Sequence, residues 1–145
     1  MFLPLGLNLA KRKILIVGGG AAAAQKIKTL HLYKADLTVL APEIKIKNPK
    51  LKKLIKRYAP ADLKGYDLIY ACTNDRRLNR QIAGAARRQK ILVNVCDDPQ
   101  NSDFISPAVF KRGFMSAAVF SDGRDVRASL RWRDKIKNIF SKGIL

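Results

Sequence analysis

A glycine triplet, Gly18-Gly19-Gly20, separates an unbroken apolar run, KILIV at 13–17, from a stretch of strong helix formers, AAAAQKIKTLHLYKA. The run suits a strand buried on both faces, as in a parallel sheet. The following stretch carries Ala23, Ile27, Leu30 and Tyr33 at the three- and four-residue spacing of one helix face. A strand, a glycine turn and a helix in this order make a phosphate cradle. Glycine permits a tight turn and close backbone approach, and the helix N-terminus presents free N–H groups at the positive end of its dipole. The G-x-G-x-x-G/A positions fall on Gly18, Gly20 and Ala23, where the third need only be small. Placed between strand and helix, the motif is far more specific than glycines alone.

The rest of the chain repeats the alternation. DLTVLA at 36–41 is a second strand, closed by Pro42. The lysine-rich stretch 45–58 predicts a short helix with Leu51, Leu54 and Ile55 as its apolar stripe, with IKRY opening a third strand. Its lysines form either an anion-binding face or a solvated surface. YDLIYACT at 66–73 and ILVNVC at 91–96 are further buried strands, and between them RRLNRQIAGAARRQK makes a helix capped by Asn74-Asp75. Asp97-Asp98-Pro99-Gln100-Asn101 is a loop, and FISPAVF a short strand or turn. FMSAAVFS at 114–121 is a strand, and Asp125 caps a last helix that packs through Val126, Leu130, Ile136, Ile139 and Phe140. The reading is an α/β, Rossmann-type, doubly wound parallel sheet over 1–113. A strand-plus-helix appendage follows over 114–145.

Composition narrows the function classes. No apolar run is long enough for a membrane helix. The opening MFLPLGLNLA lacks the basic flank and cleavage site of a signal peptide, so a cytoplasmic protein is expected. Cys72 and Cys96 end strand-like runs and read as small buried hydrophobes, not as a disulfide scaffold. Neither cysteines nor the single His31 stand at metal-ligand spacing. The formal charge of +18 attracts polyanions. Nucleic acid, an anionic membrane surface and a small polycarboxylate all qualify.

Two further segments fall at strand ends, where open α/β sheets bind ligands. After the second strand, Glu43 or the backbone of Pro42-Glu43 is placed to hold a ribose, and the absence of an arginine there favours NAD over NADP. Thr73-Asn74-Asp75 and Asn94-Val95-Cys96-Asp97-Asp98 end the next strands. On spacing alone, Asp97 is either a general base beside a nicotinamide or the organiser of the DDP turn.

These residues carry a family resemblance. LPLGLNLAKRKILIVGGGAAAAQKIKTL, LTVLAPE and GYDLIYACTNDRRLNRQIAGAARRQKILVNVCDDPQNSDFISPAVFKRG together resemble precorrin-2 dehydrogenase, over roughly residues 3–125. This is the NAD-dependent step of sirohaem synthesis, also found as the N-terminal part of multifunctional sirohaem synthases. The resemblance implies oxidation of precorrin-2 to sirohydrochlorin, with Asp97 as the base. It implies nucleotide contacts at Ala21, Ala22, Pro42 and Glu43, with Thr73 and Asn74 lining the cofactor cleft. It also implies a homodimer built through the 114–121 strand and the helix after it. Some relatives insert iron as well, and that activity stays open here. Ser121-Asp122-Gly123-Arg124-Asp125-Val126-Arg127 departs from the relatives' Ser/Thr-Gly-Gly loop and Ser-Pro-x-Leu-Ala-Arg helix start, and relatives continue with more helices. Precorrin-2 is a polycarboxylate, and arginine forks hold carboxylates, which makes Arg112, Arg124 and Arg127 its candidate ligands. Two other classes compete: a dinucleotide-sensing module without chemistry, and a basic nucleic-acid binder, for which no recognition motif stands in the chain.

Overall fold

The structure is a computed structural model and describes residues 1–48 and 51–142. Five strands form one parallel sheet: β1 (Lys13–Val17), β2 (Asp36–Ala41), β3 (Lys52–Ile55), β4 (Leu68–Ala71) and β5 (Leu92–Val95). Their spatial order is β3-β2-β1-β4-β5. Helix α1 (Ala21–His31) connects β1 to β2, and α2 (Arg76–Arg88) connects β4 to β5.

The period of two along each strand sorts the core into two layers. Ile14 and Ile16 of β1 join Leu68, Tyr70 and Cys72 under Ala23, Ile27 and Leu30 of α1. Leu15 and Val17 face the other way, with Ile69, Ala71, Val93 and Val95 against Ile82, Ala83, Ala85 and Ala86 of α2. Each such buried Ile or Leu contributes about 1.5–3 kcal/mol relative to exposure. Because α1 and α2 cover opposite faces, the winding reverses between β1 and β4. Open sheets of this kind leave their ligand crevice at that reversal.

The lysine-rich stretch is where the fold departs most from expectation. Residues 52–55 are not helical: β3 pairs in parallel with β2, Thr38 opposite Lys52 and Ala41 opposite Ile55. Of the expected stripe only Leu51 is buried, while Leu54 and Ile55 are exposed. The lysines of KKLI suit an edge strand, where they guard open backbone groups. Lys52 Nζ meets Asp36 Oδ1 at 2.8 Å. Pro49 and Lys50 of that stretch lie outside the described residues. Tyr33 also leaves the expected face, because α1 ends at His31.

The cysteines differ too. Ala71 pairs with Val95, so Cys72 and Cys96 follow side by side on adjacent strands. Their Cα atoms are 5.1 Å apart and their sulfurs are joined as a disulfide. Adjacent strands place facing residues about 5 Å apart, which is bridging distance.

The chain divides into two compact units, Leu7–Phe104 and Met1–Gly6 with the chain from Ile105 onward. The second unit is more than a strand and a helix. β6 (Ala108–Arg112) and β7 (Met115–Val119) form an antiparallel hairpin turned at Gly113, which takes φ 59°. Helix α3 (Val126–Ser141) is capped by Asp125, whose side chain accepts the Ala128 N–H. Phe110 and Phe140 stack at 5.8 Å, and the Phe2 N–H donates to Asp122. Val126 and Ile139, expected to pack, are exposed, whereas Leu130, Ile136 and Phe140 are half-buried.

Asp67 ties the entries of β1 and β4 together, accepting from Lys13 N at 2.8 Å and Arg12 Nη1 at 2.7 Å. The Lys13 backbone bond first, and then Arg12, holds its carboxyl below the usual range. A carboxyl depressed in the folded state stabilises above its unfolded value, and that benefit is lost as pH falls through the folded value. The wild type is therefore expected to be more stable than Asp67→Asn above about pH 4 and to lose that advantage below it, read from urea midpoints across pH.

Candidate functional site

All five strands of the sheet run the same way, so the segments after β1, β2, β4 and β5 share its carboxyl edge. The glycine turn follows β1. Gly18 takes φ 127°, and a Cβ there would overlap the Cys72 carbonyl. Gly19 is pressed by the Glu43 carbonyl in the same way. Around Gly20, by contrast, a Cβ would meet nothing within 4 Å. Two glycines thus serve the chain's own packing, and the third leaves open space in front of α1.

Gly20 is the N-cap of α1, with no side-chain cap and no acid in the first turn. The Ala24 N–H already returns to Gly20 O at 3.0 Å. The N–H groups of Ala21, Ala22 and Ala23 precede the helix's own bonding pattern and are the orphans an anion satisfies. A pyrophosphate fits this donor set: small side chains, an uncapped helix end of 11 residues and no competing acid.

Pro42 and Glu43 form the bend after β2. Their backbone closes on Gly19, while the Glu43 carboxylate stands exposed and 3.6 Å from Lys45 Nζ. A carboxylate here accepts from ribose hydroxyls and repels a 2′-phosphate.

After β4, Thr73 is committed within the protein. Its hydroxyl donates to Asn79 Oδ1 at 2.7 Å and accepts the Asp75 N–H at 3.2 Å. Asn79 Nδ2 returns to Thr73 O at 3.0 Å. Asp75 caps α2 by accepting the Arg77 and Leu78 N–H groups. Asn79 is buried and locks this loop, a role the sequence did not disclose beyond its place four residues after the cap. Asn74 is exposed at the loop's tip.

The acids after β5 divide their tasks. Asp98 accepts from Asn101 N at 3.3 Å and Asn101 Nδ2 at 2.7 Å, so it organises the DDP turn. Asp97 is exposed, in the left-handed region at φ 63°, and its carboxylate accepts no hydrogen bond among the described residues. Asp tolerates this conformation better than most residues, and such outliers cluster at functional positions. The loop beyond braces β5: Ser102 Oγ accepts the Val95 N–H and Asp103 accepts the Val93 N–H, while Arg87 holds Asp103 at 2.8 Å. Asn94 donates to Phe104 O at 2.9 Å, and its buried Oδ1 has no hydrogen-bond partner among the described residues.

Lys26 also reaches this region, although nothing in the sequence singled it out. Its Nζ lies 5.8 Å from the centre of the Tyr70 ring. Burial pushes its pKa down, and the Asp97 charge partly opposes this.

The three arginines lie in the second compact unit. Arg112 ends β6 and donates to Phe140 O at 2.9 Å. Arg124 is exposed in the turn before α3, and Arg127 is exposed in its first turn. Among the described residues no group of three or more His, Cys, Asp and Glu is placed to hold a metal ion.

A family model described as putative NAD(P)-binding matches residues 5–108. The chain is 40% identical over 141 residues to a siroheme synthase of Chromobacterium violaceum, covering 89% of this chain and 30% of that protein. It is 34% identical to a siroheme synthase of Zymomonas mobilis, covering 99% and 32% respectively. The chain therefore spans about a third of the length of these relatives. Among solved structures, SirC, a precorrin-2 dehydrogenase, aligns with a TM-score of 0.76 and 27% identity over 94% of this chain and 70% of its own.

Two glycine variants separate packing from binding. Gly18→Ala is expected to lower the melting temperature by several degrees, since backbone must move to admit the methyl group. Gly20→Ala is expected to melt within about 2 °C of wild type while losing roughly tenfold or more in NAD affinity, because its methyl group enters the anion's space. Thermal unfolding and calorimetric NAD titration read the two effects.

Proposed function

This chain belongs to the putative NAD(P)-binding family, and on that premise we propose that it is a precorrin-2 dehydrogenase, oxidising precorrin-2 to sirohydrochlorin with NAD. The observation that carries this reading is the free Asp97 carboxylate on the same sheet edge as the uncapped glycine turn. The likeness to SirC over 94% of the chain supports it.

Bound at that turn, NAD would supply the hydride acceptor. The chain's own residues divide the remaining work. The N–H groups of Ala21, Ala22 and Ala23 hold the pyrophosphate, and the Pro42-Glu43 bend selects the ribose. The Thr73–Asn79 lock keeps the β4 loop in place beside the cleft. Asp97 takes a proton from the tetrapyrrole as hydride departs, so that oxidation leaves no charge built up on the substrate. An acceptor-only carboxylate with no internal hydrogen bond is suited to that step. The charge of +18 favours encounter with a polycarboxylate, with Arg112, Arg124 and Arg127 as its candidate anchors.

The reading includes a cytoplasmic homodimer. Among the described residues no helix is long and apolar enough to cross a membrane. The second unit exposes Phe114 at 92%, Trp132 at 64% and Met115 at 54% of their surfaces, an apolar set suited to burial against a second copy.

Purified chain, precorrin-2 and NAD should give sirohydrochlorin above the no-enzyme control. Asp97→Ala should cut turnover by about 10²–10⁴-fold with NAD affinity unchanged. Absence of product from the wild type overturns the reading. Sedimentation velocity should find a dimer, and Phe114→Asp combined with Trp132→Asp should shift it towards monomer.

A further inference from the structure

The dehydrogenase reading gives the disulfide no task. Cys72 and Cys96 are the only two cysteines of the chain, and they join at the carboxyl ends of β4 and β5. Each stands one residue before a loop of the cleft: Thr73 follows Cys72, and Asp97 follows Cys96. Their surroundings are unequal. Cys72 is buried in the layer that holds Ile16 and Tyr70. Its N–H donates to Val17 O at 2.8 Å, and its carbonyl lies against Gly18. Cys96 is half-buried, and its N–H donates to Ala71 O at 2.9 Å.

Beyond that bond the chain turns. The Asp98 N–H returns to Val95 O at 3.2 Å, so Cys96 and Asp97 are the two central residues of the turn. Asp97 takes the positive φ, 63°, at the second of them. The Asp98 side chain is tied to Asn101, whereas the Asp97 carboxylate accepts no hydrogen bond among the described residues. The backbone of the turn therefore sets where that carboxylate stands, and the disulfide fastens the first central residue of the turn to the core. Two thiols in contact stand farther apart than two bonded sulfurs, so reduction makes one of them give way. Cys72 is held by the core and by its backbone contacts. The movement falls on Cys96 and passes to Asp97.

We propose that Cys72 and Cys96 form a thiol–disulfide exchange site that sets the position of Asp97, with an external dithiol as its reductant and a small-molecule disulfide as its oxidant. A thiolate of the dithiol attacks Cys96, the more accessible partner. The new S–S bond forms as the bond between Cys96 and Cys72 breaks, and Cys72 leaves as a thiolate that takes up a proton. The second sulfur of the dithiol then attacks the mixed disulfide, closes its own S–S bond and releases Cys96. Two electrons pass to the protein, and the dithiol is oxidised to a disulfide. Exchange with a small-molecule disulfide runs the sequence backwards. The effect on turnover rests on the dehydrogenase reading, but the exchange and the movement of Asp97 do not.

The test uses the full chain, purified without reductant. Alkylation of the folded chain, read by mass, should find no free thiol before dithiothreitol and two after it. Oxidised glutathione should return the reduced chain to none. Between the two forms the backbone amide resonances of Asp97 and Asp98 should move, while those of Ala21, Ala22 and Ala23 stay. NAD affinity should be unchanged, because Cys72 keeps its backbone contacts at the glycine turn. With precorrin-2, kcat should fall roughly tenfold on reduction, at an unchanged KM for NAD. Cys96→Ser should match the reduced wild type and ignore dithiothreitol. Free thiols in the untreated chain, or a bond that dithiothreitol opens only after unfolding, overturn the proposal. So does a reduced chain whose Asp97 amide stays in place or, in an active enzyme, whose kcat does not fall. A wild type inactive on precorrin-2 in both forms instead overturns the dehydrogenase reading, while the thiol count and the amide shifts still decide the exchange site.

Discussion

At Gly18 the backbone of the first turn lies directly against the carbonyl of Cys72, leaving no room for a Cβ. The contact brings the end of β1 onto the end of β4, at the point where the winding of the sheet reverses. Gly18 N also donates to Leu40 O at 2.8 Å, joining the turn to β2. The Glu43 carbonyl closes on Gly19 from the same side. Three strand ends thus meet on two residues without side chains. What remains open is the face in front of Gly20 and the first turn of α1. The cradle is accordingly shaped by the chain's own packing before any ligand arrives.

The loops at that edge follow one pattern, in which one polar residue secures the backbone and its neighbour is left available. Asp75 caps α2 and Asn79 locks Thr73, while Asn74 stays exposed. Asp98 builds the turn, while Asp97 is free of hydrogen bonds among the described residues. Ser102 and Asp103 satisfy β5 backbone N–H groups that no further strand of the sheet covers. Rigid loops matter for a group that must meet a reacting atom, since a small misplacement costs much of the rate.

The division between legible and hidden features has physical causes. The strands and helices of the sheet were readable because burial on both faces demands continuous apolar runs, and because glycine and cap residues mark the ends. The stretch at 45–58 was misread because alternating lysine and isoleucine near an edge satisfies helix spacing in short windows as well as strand spacing. The β6-β7 hairpin was half-read for a similar reason: FISPAVF is too short for periodicity to decide. The cysteine pair was read as two buried residues because their meeting depends on the register of β4 against β5, which no local pattern records.

By itself the sequence determined the doubly wound sheet, the place of the glycine turn and the short list of polar residues at strand ends. These follow from local periodicity and from the special geometry of glycine. Only the tertiary structure decided which of them are spent and which are free: Thr73 bound to Asn79, Asp98 bound to Asn101, and Asp97 left without a hydrogen bond among the described residues. Hydrogen-bond partners and desolvation are properties of groups brought together across the fold. The glycine turn was therefore visible from the sequence, whereas the separate roles of the two aspartates depended on distances that only folding sets.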